Sequence, residues 1–285
     1  MEAVAGPARR RQVPRGLAAV LPALGLLLVF FVLPVLMLLL RSVLEPHPGL
    51  QNYAEIFAST TYLKVFENTF IVAGVVTAVT LLLGFPVAWF LAIAPRRWSQ
   101  LLFGVVVLSM WTNLLTRTYA WMVLLQDTGI INRALQSLHL ISDPLPLINN
   151  LTGVVIGMTY ILLPFMILPL HATIRSVDPA ICRAAALCGA SRWQVFRLVF
   201  VPLLSSGIAA GGLMVFVMAL GYYVTPALLG GTSNMMLAEL IAQLVQSLLN
   251  WGLGGAAALV LLVVTLSLYA VQFRLFDVGG MWARR

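Results

Sequence analysis

Six stretches of this chain contain no Asp, Glu, Lys or Arg: residues 16 to 40, 68 to 95, 98 to 116, 144 to 174, 198 to 238 and 240 to 273. An α-helix rises about 1.5 Å per residue, so about 20 apolar residues cross a hydrocarbon layer roughly 30 Å thick. Within that layer every backbone N–H and C=O must be paired inside its own segment, which selects helices. One span fits each stretch. The expectation is an all-α membrane protein with six transmembrane helices, at about 16–40, 68–94, 99–124, 151–172, 203–229 and 251–273. The six-span domain covers 16–273 and includes a polar connection at 173–202, with short tails at 1–15 and 274–285. At 61% hydrophobic and 9% charged residues, against about 45–50% and 25% in soluble domains, a water-soluble fold is excluded.

The first apolar run follows Arg9, Arg10, Arg11 and Arg15, as in a signal peptide. It is much longer than the usual 7–15 residues, which indicates an uncleaved first span. Basic residues in short loops stay on the cytoplasmic side. With the N-terminus inside, the cytoplasmic segments hold Arg9, Arg10, Arg11, Arg15, Arg96, Arg97, Arg175, Arg183, Arg192, Arg197, Arg274, Arg284 and Arg285. Only Arg41, Lys64 and Arg133 remain outside, with Arg117 near the outer end of span three. Both termini are therefore expected in the cytoplasm. The net charge of +8 is spread over the tails and several short loops rather than massed on one face. That pattern suits lipid headgroups and not nucleic acid.

Chemical machinery is sparse. A phosphate-cradling loop requires Gly-x-x-x-x-Gly-Lys before Ser or Thr, and the only lysine, Lys64, follows Leu63. His47, His139 and His171 fall in separate segments without metal-ligand spacing. Cys182 and Cys188 match no zinc pattern and lie where a reducing compartment disfavours a disulfide. Gly252, Gly254 and Ala257 have dinucleotide-motif spacing but open a membrane span rather than a strand-to-helix turn. No cofactor and no catalytic residue is expected.

The outer connections, roughly 41 to 66, 125 to 150 and 230 to 250, carry Glu45, Glu55, Asp127, Asp143 and Glu239. Short surface helices are expected at 51–57 and 130–138. Gly153 with Gly157 and Gly207 with Gly211 form small-xxx-small pairs that let helices approach closely. Pro22, Pro34, Pro86, Pro164 and Pro169 remove helix hydrogen bonds inside spans and favour kinks.

The connection between spans four and five has detailed helix punctuation. Asp178 suits an N-cap and Pro179 the first helical position, where its missing N–H costs nothing. Gly189 supplies the left-handed residue that closes a helix. Ser191 and Gln194 form a capping box that starts the next one. On the first helix Ile181, Ala184, Ala185 and Cys188 recur at i, i+3, i+4 and i+7 and make one apolar face. On the second, Trp193, Phe196 and Phe200 make a face that can return to the membrane. The spacing predicts a rigid two-helix knob.

Ala184-Ala185-x-x-x-Gly189, nine residues, then Val199-x-Val201-Pro202 resembles the EAA loop of ABC importer permeases, usually written Glu-Ala-Ala-x-x-x-Gly, nine residues, Ile-x-Leu-Pro. Asp178, Pro179, Ala190 and Ser191 also look like that family. The resemblance implies a type I ABC importer permease (MetI-like) fold with a cytoplasmic coupling helix. It also implies partners: ABC ATPase subunits that bind the ATP, a second and usually non-identical permease, an external solute-binding protein, and the lipid of a bacterial inner membrane. Arg183 departs from the pattern, standing where the family usually has Glu. A compensating acid on the ATPase is the corresponding expectation.

The stretches from Trp111 to Met122 and from Gly221 to Gly231 look like polyamine-type permeases of the spermidine and putrescine class, whose relatives also import opines and aminophosphonates. A polyamine path would use carboxylates and ring faces. Trp111, Trp121, Tyr222, Tyr223 and Glu239 are the candidates, while Arg117 can snorkel to the interface from the outer end of its span or serve as a gate or inter-permease contact. A channel or gradient-driven transporter would instead use intramembrane carboxylates or broken helices, and the span centres lack acids.

Overall fold

The structure, a computed structural model, describes residues 15–275. The terminal tails, but for residues 15, 274 and 275, lie outside the described residues, and with them Arg9, Arg10, Arg11, Arg284 and Arg285.

The chain opens with α1 (Arg15–Leu27), which passes through a wide π-helical turn (Leu28–Val32) into α2 (Leu33–Leu44). Pro34 explains the widening, because its ring crowds the carbonyl four residues back and it has no N–H to donate. After α3 (Gln51–Ala58) comes α4 (Thr60–Ile93). Then follow α5 (Arg96–Trp111), α6 (Leu114–Leu125) and α7 (Ile130–Ser137). The second half has α8 (Leu151–Ser176), α9 (Pro179–Leu187) and α10 (Arg192–Gln194). A second π-helical turn (Val195–Phe200) leads through α11 (Val201–Leu203) to α12 (Ser205–Leu220), and Pro202 accounts for that turn as Pro34 does for the first. Short α13 (Val224–Leu229) and α14 (Leu237–Ala242) precede α15 (Trp251–Leu275). No strand occurs among the described residues.

Val20–Leu44, Thr60–Ile93, Leu151–Ser176 and Trp251–Arg274 are each long and apolar enough to cross a membrane. Two bent helix pairs pass the same test only together, each as a broken span or a re-entrant loop: Arg96–Trp111 with Leu114–Ser137 at 99°, and Arg192–Leu203 with Ser205–Leu220 at 59°. The third stretch is thus broken where a straight helix over 99–124 is expected. The cause is local: Asn113 turns its Oδ1 onto the N–H groups of Leu115 and Thr116 and starts a new helix. Pro86, Pro164 and Pro169, by contrast, sit inside continuous helices.

The centre is a packed trio of α4, α8 and α12. Val72, Ala73, Val76, Ala88 and Leu91 of α4 meet Met158, Leu162, Met166 and Leu170 of α8, and Val215 and Ala219 of α12. Small residues set how close these helices come. A Cβ on Gly207 would fall 2.4 Å from Thr173 Oγ1, and one on Gly211 3.0 Å from the Met166 sulfur. Gly157 is equally tight, 2.6 Å from a Leu229 methyl. Both small-xxx-small pairs therefore serve packing within the chain, on α8 and on α13.

A second cluster joins α3, α14 and α15 through Ile56, Leu237, Leu240, Leu253 and Ala256. The buried Thr69 hydroxyl of α4 ties it to the centre by accepting from the Leu237 N–H at 2.8 Å. The first span docks its second half on α15, where Gly255 lies against the Leu38 carbonyl. Its first half, from Val20 through Phe31, stays exposed, as a lipid-facing or partner-facing surface requires.

Candidate functional site

The connection from Asp178 to Pro202 takes the shape its punctuation specifies. Asp178 Oδ1 accepts from the Ala180 N–H at 2.8 Å and caps α9, with Pro179 in the first turn. Gly189, at φ +87°, reverses the chain. Ser191 then caps α10: its hydroxyl accepts from the Gln194 N–H, while Gln194 Oε1 accepts from the Ser191 N–H at 2.7 Å. Three backbone N–H groups at the two helix starts are thereby satisfied without help from the rest of the fold.

Among the described residues nothing covers the face that sequence periodicity marks on α9. Ile181, Ala184 and Cys188 are exposed and Ala185 half-buried, while Leu187 beside them is 89% exposed. Arg183 borders this face, also exposed. The helix thus presents Ile181 and Leu187 on its exposed side.

The other half of the knob is anchored. Phe196 stacks on Trp89 of α4 at 5.4 Å between ring centroids, and Phe200 tilts against the same indole at 4.9 Å. Phe85, one turn before Trp89, meets Phe196 edge-on at 6.2 Å, and Trp193 stacks outside at 5.6 Å. Sequence periodicity places Trp193, Phe196 and Phe200 on one face but does not identify Trp89. The i, i+4 pair Phe85 and Trp89 was the available signal. These rings join the segment after α9 to α4.

The candidate path residues sit at the opposite end of the bundle. The stretches at 111–122 and 221–231 are packed together as α6 on α13, and the buried hydroxyls of Thr118 and Thr225 lie 3.3 Å apart. Arg117 is within electrostatic reach of the Tyr222 hydroxyl, and its Nε is buried with no hydrogen-bond partner. Trp121 meets Tyr160 of α8 edge-on at 5.5 Å. Tyr222 is half-buried, Tyr223 is exposed, and Trp111 stands 85% exposed at the corner between α5 and α6. Glu239 is on α14, flanked by Leu237 and Leu240 of the second cluster, with Oε2 buried and unpartnered. Burial pushes its carboxyl above the usual carboxylate range, against a backbone N–H at Met236 that lowers it. Among the described residues no group of His, Cys, Asp and Glu is arranged to hold a metal ion.

Residues 84–277 match the family described as binding-protein-dependent transport system inner membrane component. The spermidine/putrescine transport system permease protein PotB of Escherichia coli strain K12 is 33% identical over 258 residues, 88% of this chain and 94% of that protein. The protein of the same name from Haemophilus influenzae strain Rd is 35% identical over 256 residues, 87% and 89% of the two chains. Among solved structures, a bacterial alginate ABC transporter in complex with an alginate pentasaccharide-bound periplasmic protein superposes at a TM-score of 0.74, with 17% identity, covering 91% of this chain and 93% of the other. A second structure, of a bacterial ABC transporter involved in the import of alginate, gives 0.68 at 20% identity.

Proposed function

Because this chain belongs to the family of binding-protein-dependent transport system inner membrane components, it is a permease subunit of an ABC importer in the inner membrane, and we propose that its cargo is a polyamine such as putrescine or spermidine. It is a transport subunit and not an enzyme. Its partners are ABC ATPase subunits, a second permease and an external solute-binding protein, and the family description itself names dependence on a binding protein.

The observation that carries the polyamine reading is the packing of α6 on α13 through Thr118 and Thr225. It joins the two stretches whose sequences resemble polyamine-type permeases and gathers Trp121, Tyr222 and Tyr223 at one end of the bundle. Ring faces attract an amine cation by about 0.5–2 kcal/mol each. The similarity to permeases named for spermidine and putrescine supports the same cargo. One observation favours a second reading: Arg117, with Nε buried and unpartnered beside Tyr222, suits the anionic group of an opine or aminophosphonate.

Coupling to ATP falls to the segment from Asp178 to Pro202. The exposed face of Ile181, Ala184, Leu187 and Cys188 enters a cleft of the ATPase, with Ala185, Gly189, Ala190 and Ser191 fixing its shape. Arg183 meets an acidic residue there, so Arg183→Glu lowers the amount of ATPase that co-purifies. Unchanged co-purification would remove that ion pair. ATP stays on the ATPase and this chain holds no cofactor. This orientation puts the coupling segment and both termini in the cytoplasm, in accord with thirteen of the 17 Lys and Arg residues.

The cargo is read by uptake into proteoliposomes that hold both permeases and the ATPase, with the binding protein outside. Labelled putrescine or spermidine enters when ATP is supplied, and an unlabelled aminophosphonate does not compete. Uptake of a labelled aminophosphonate, with no uptake of either amine, would favour the anionic reading.

A further inference from the structure

Between the coupling segment and the ends of α4 and α8 lies a cavity of about 780 Å³. Its walls are mainly apolar, among them Trp89 and Ile93 from α4, Ala186 from α9, and Phe196 and Phe200 from the π-helical turn. Arg175, in the last turn of α8, and Arg192, at the start of α10, also line it. No Asp or Glu lines it. Neither arginine forms an ion pair among the described residues, and both are exposed. The nearby carboxylate, Asp178, is engaged at the α9 N-terminus. Two guanidinium groups thus share an apolar cavity with no counter-charge.

We propose that this cavity binds an anionic phospholipid, with the phosphate held by Arg175 and Arg192 and an acyl chain lying along Trp89, Phe196 and Phe200. The proposal rests on the reading that this end of the bundle faces the cytoplasm. On that side, basic pockets between membrane helices bind acidic lipid headgroups, and a guanidinium matches two phosphate oxygens at once. The hydrocarbon wall takes the chain, which a free phosphate or nucleotide lacks.

The lipid and the ATPase use different sides of α9. Pro179, Cys182 and Ala186 face the cavity, whereas Ile181, Ala184 and Cys188 form the exposed face. At 3.6 residues per turn, a shift of two residues turns roughly 200° round the helix. A lipid here supports the coupling helix from the membrane side and leaves its docking face free.

The test uses the assembled transporter, both permeases with ATPase, purified from membranes containing phosphatidylglycerol, with retained lipid counted by native mass spectrometry. Wild type retains phosphatidylglycerol. The Arg175→Gln/Arg192→Gln variant retains about tenfold less, as expected when two basic contacts are removed. Ala186→Phe, which fills the cavity and keeps both charges, loses the lipid equally, and Arg175→Lys/Arg192→Lys keeps most of it. Inorganic phosphate does not displace it. Equal retention in wild type and the Gln variant overturns the proposal. So does displacement by inorganic phosphate, which would make this a free-anion site. Retention by the permeases alone that is lost once the ATPase binds would assign the cavity to an ATPase side chain, which also overturns it. Co-purified ATPase is scored on the same samples. Its absence from wild type contradicts the transporter reading on which this site rests, whereas its presence with unchanged lipid contradicts the lipid site alone.

Discussion

Glu239 has a carboxyl with an oxygen buried and unpartnered, and its pKa is pushed up by that burial. A raised folded-state pKa means that ionisation works against the fold. The stability its protonated form contributes is fully present below the unfolded value of about 4.3 and is lost as pH rises through the higher folded value. Glu239→Gln removes that dependence. Thermal unfolding of the purified permease should therefore occur at higher temperature in the variant at neutral pH, with the difference closing as pH falls below about 4. If the carboxylate also meets the amine, the same variant loses uptake while gaining stability, a combination that a purely structural role does not give. A variant less stable at neutral pH would contradict the burial argument. The sequence named Glu239 but could not place it, because its burial comes from Leu237 and Leu240 packing into a cluster with α3 and α15. Asp178, Gly189, Ser191 and Gln194 were legible to the residue, since a cap is made by groups two or three positions apart.

Helices in a membrane gain little from the hydrophobic effect against one another, so close approach matters more than apolar area. Gly207 shows the scale: any side chain there collides with Thr173 on α8. Gly207→Leu is expected to destabilise the bundle by about 1–3 kcal/mol, as overpacking generally does, seen as earlier thermal unfolding in detergent. Gly104, with nothing near its Cβ position, is the control at which Leu is tolerated. Phe196 carries the second element-scale prediction, because it touches Trp89, Phe85, Trp193 and Phe200 together. Phe196→Ala should leave ATPase docking intact and lower the cargo moved per ATP several-fold, while Phe196→Leu, which refills part of the space, recovers some of it. Equal coupling in all three forms would exclude a coupling route through these rings into α4. That the chain is helical and carries several long apolar helices was readable from missing charges. The 99° break at Asn113 was not, because charge-free stretches report hydrophobicity and are silent about a side chain that competes for backbone N–H groups.

On the scale of the whole molecule, the chain leaves two surfaces unfinished. One is the apolar N-terminal half of the first span, from Val20 to Phe31. The other is the exposed face of α9, far too small to be stable in water for its own sake. A permease of this family works inside an assembly, and α9 is where we propose that the ATPase joins. Cys188 lies at the C-terminal end of that face and is exposed, so its reaction with a membrane-impermeant maleimide reports whether the face is covered. In a Cys182→Ala background, Cys188 of the permease alone should label rapidly, and labelling should fall at least about tenfold when the ATPase is bound, in line with protection of a buried thiol. Equal labelling with and without a stoichiometrically bound ATPase would contradict the assignment of α9 as the coupling helix.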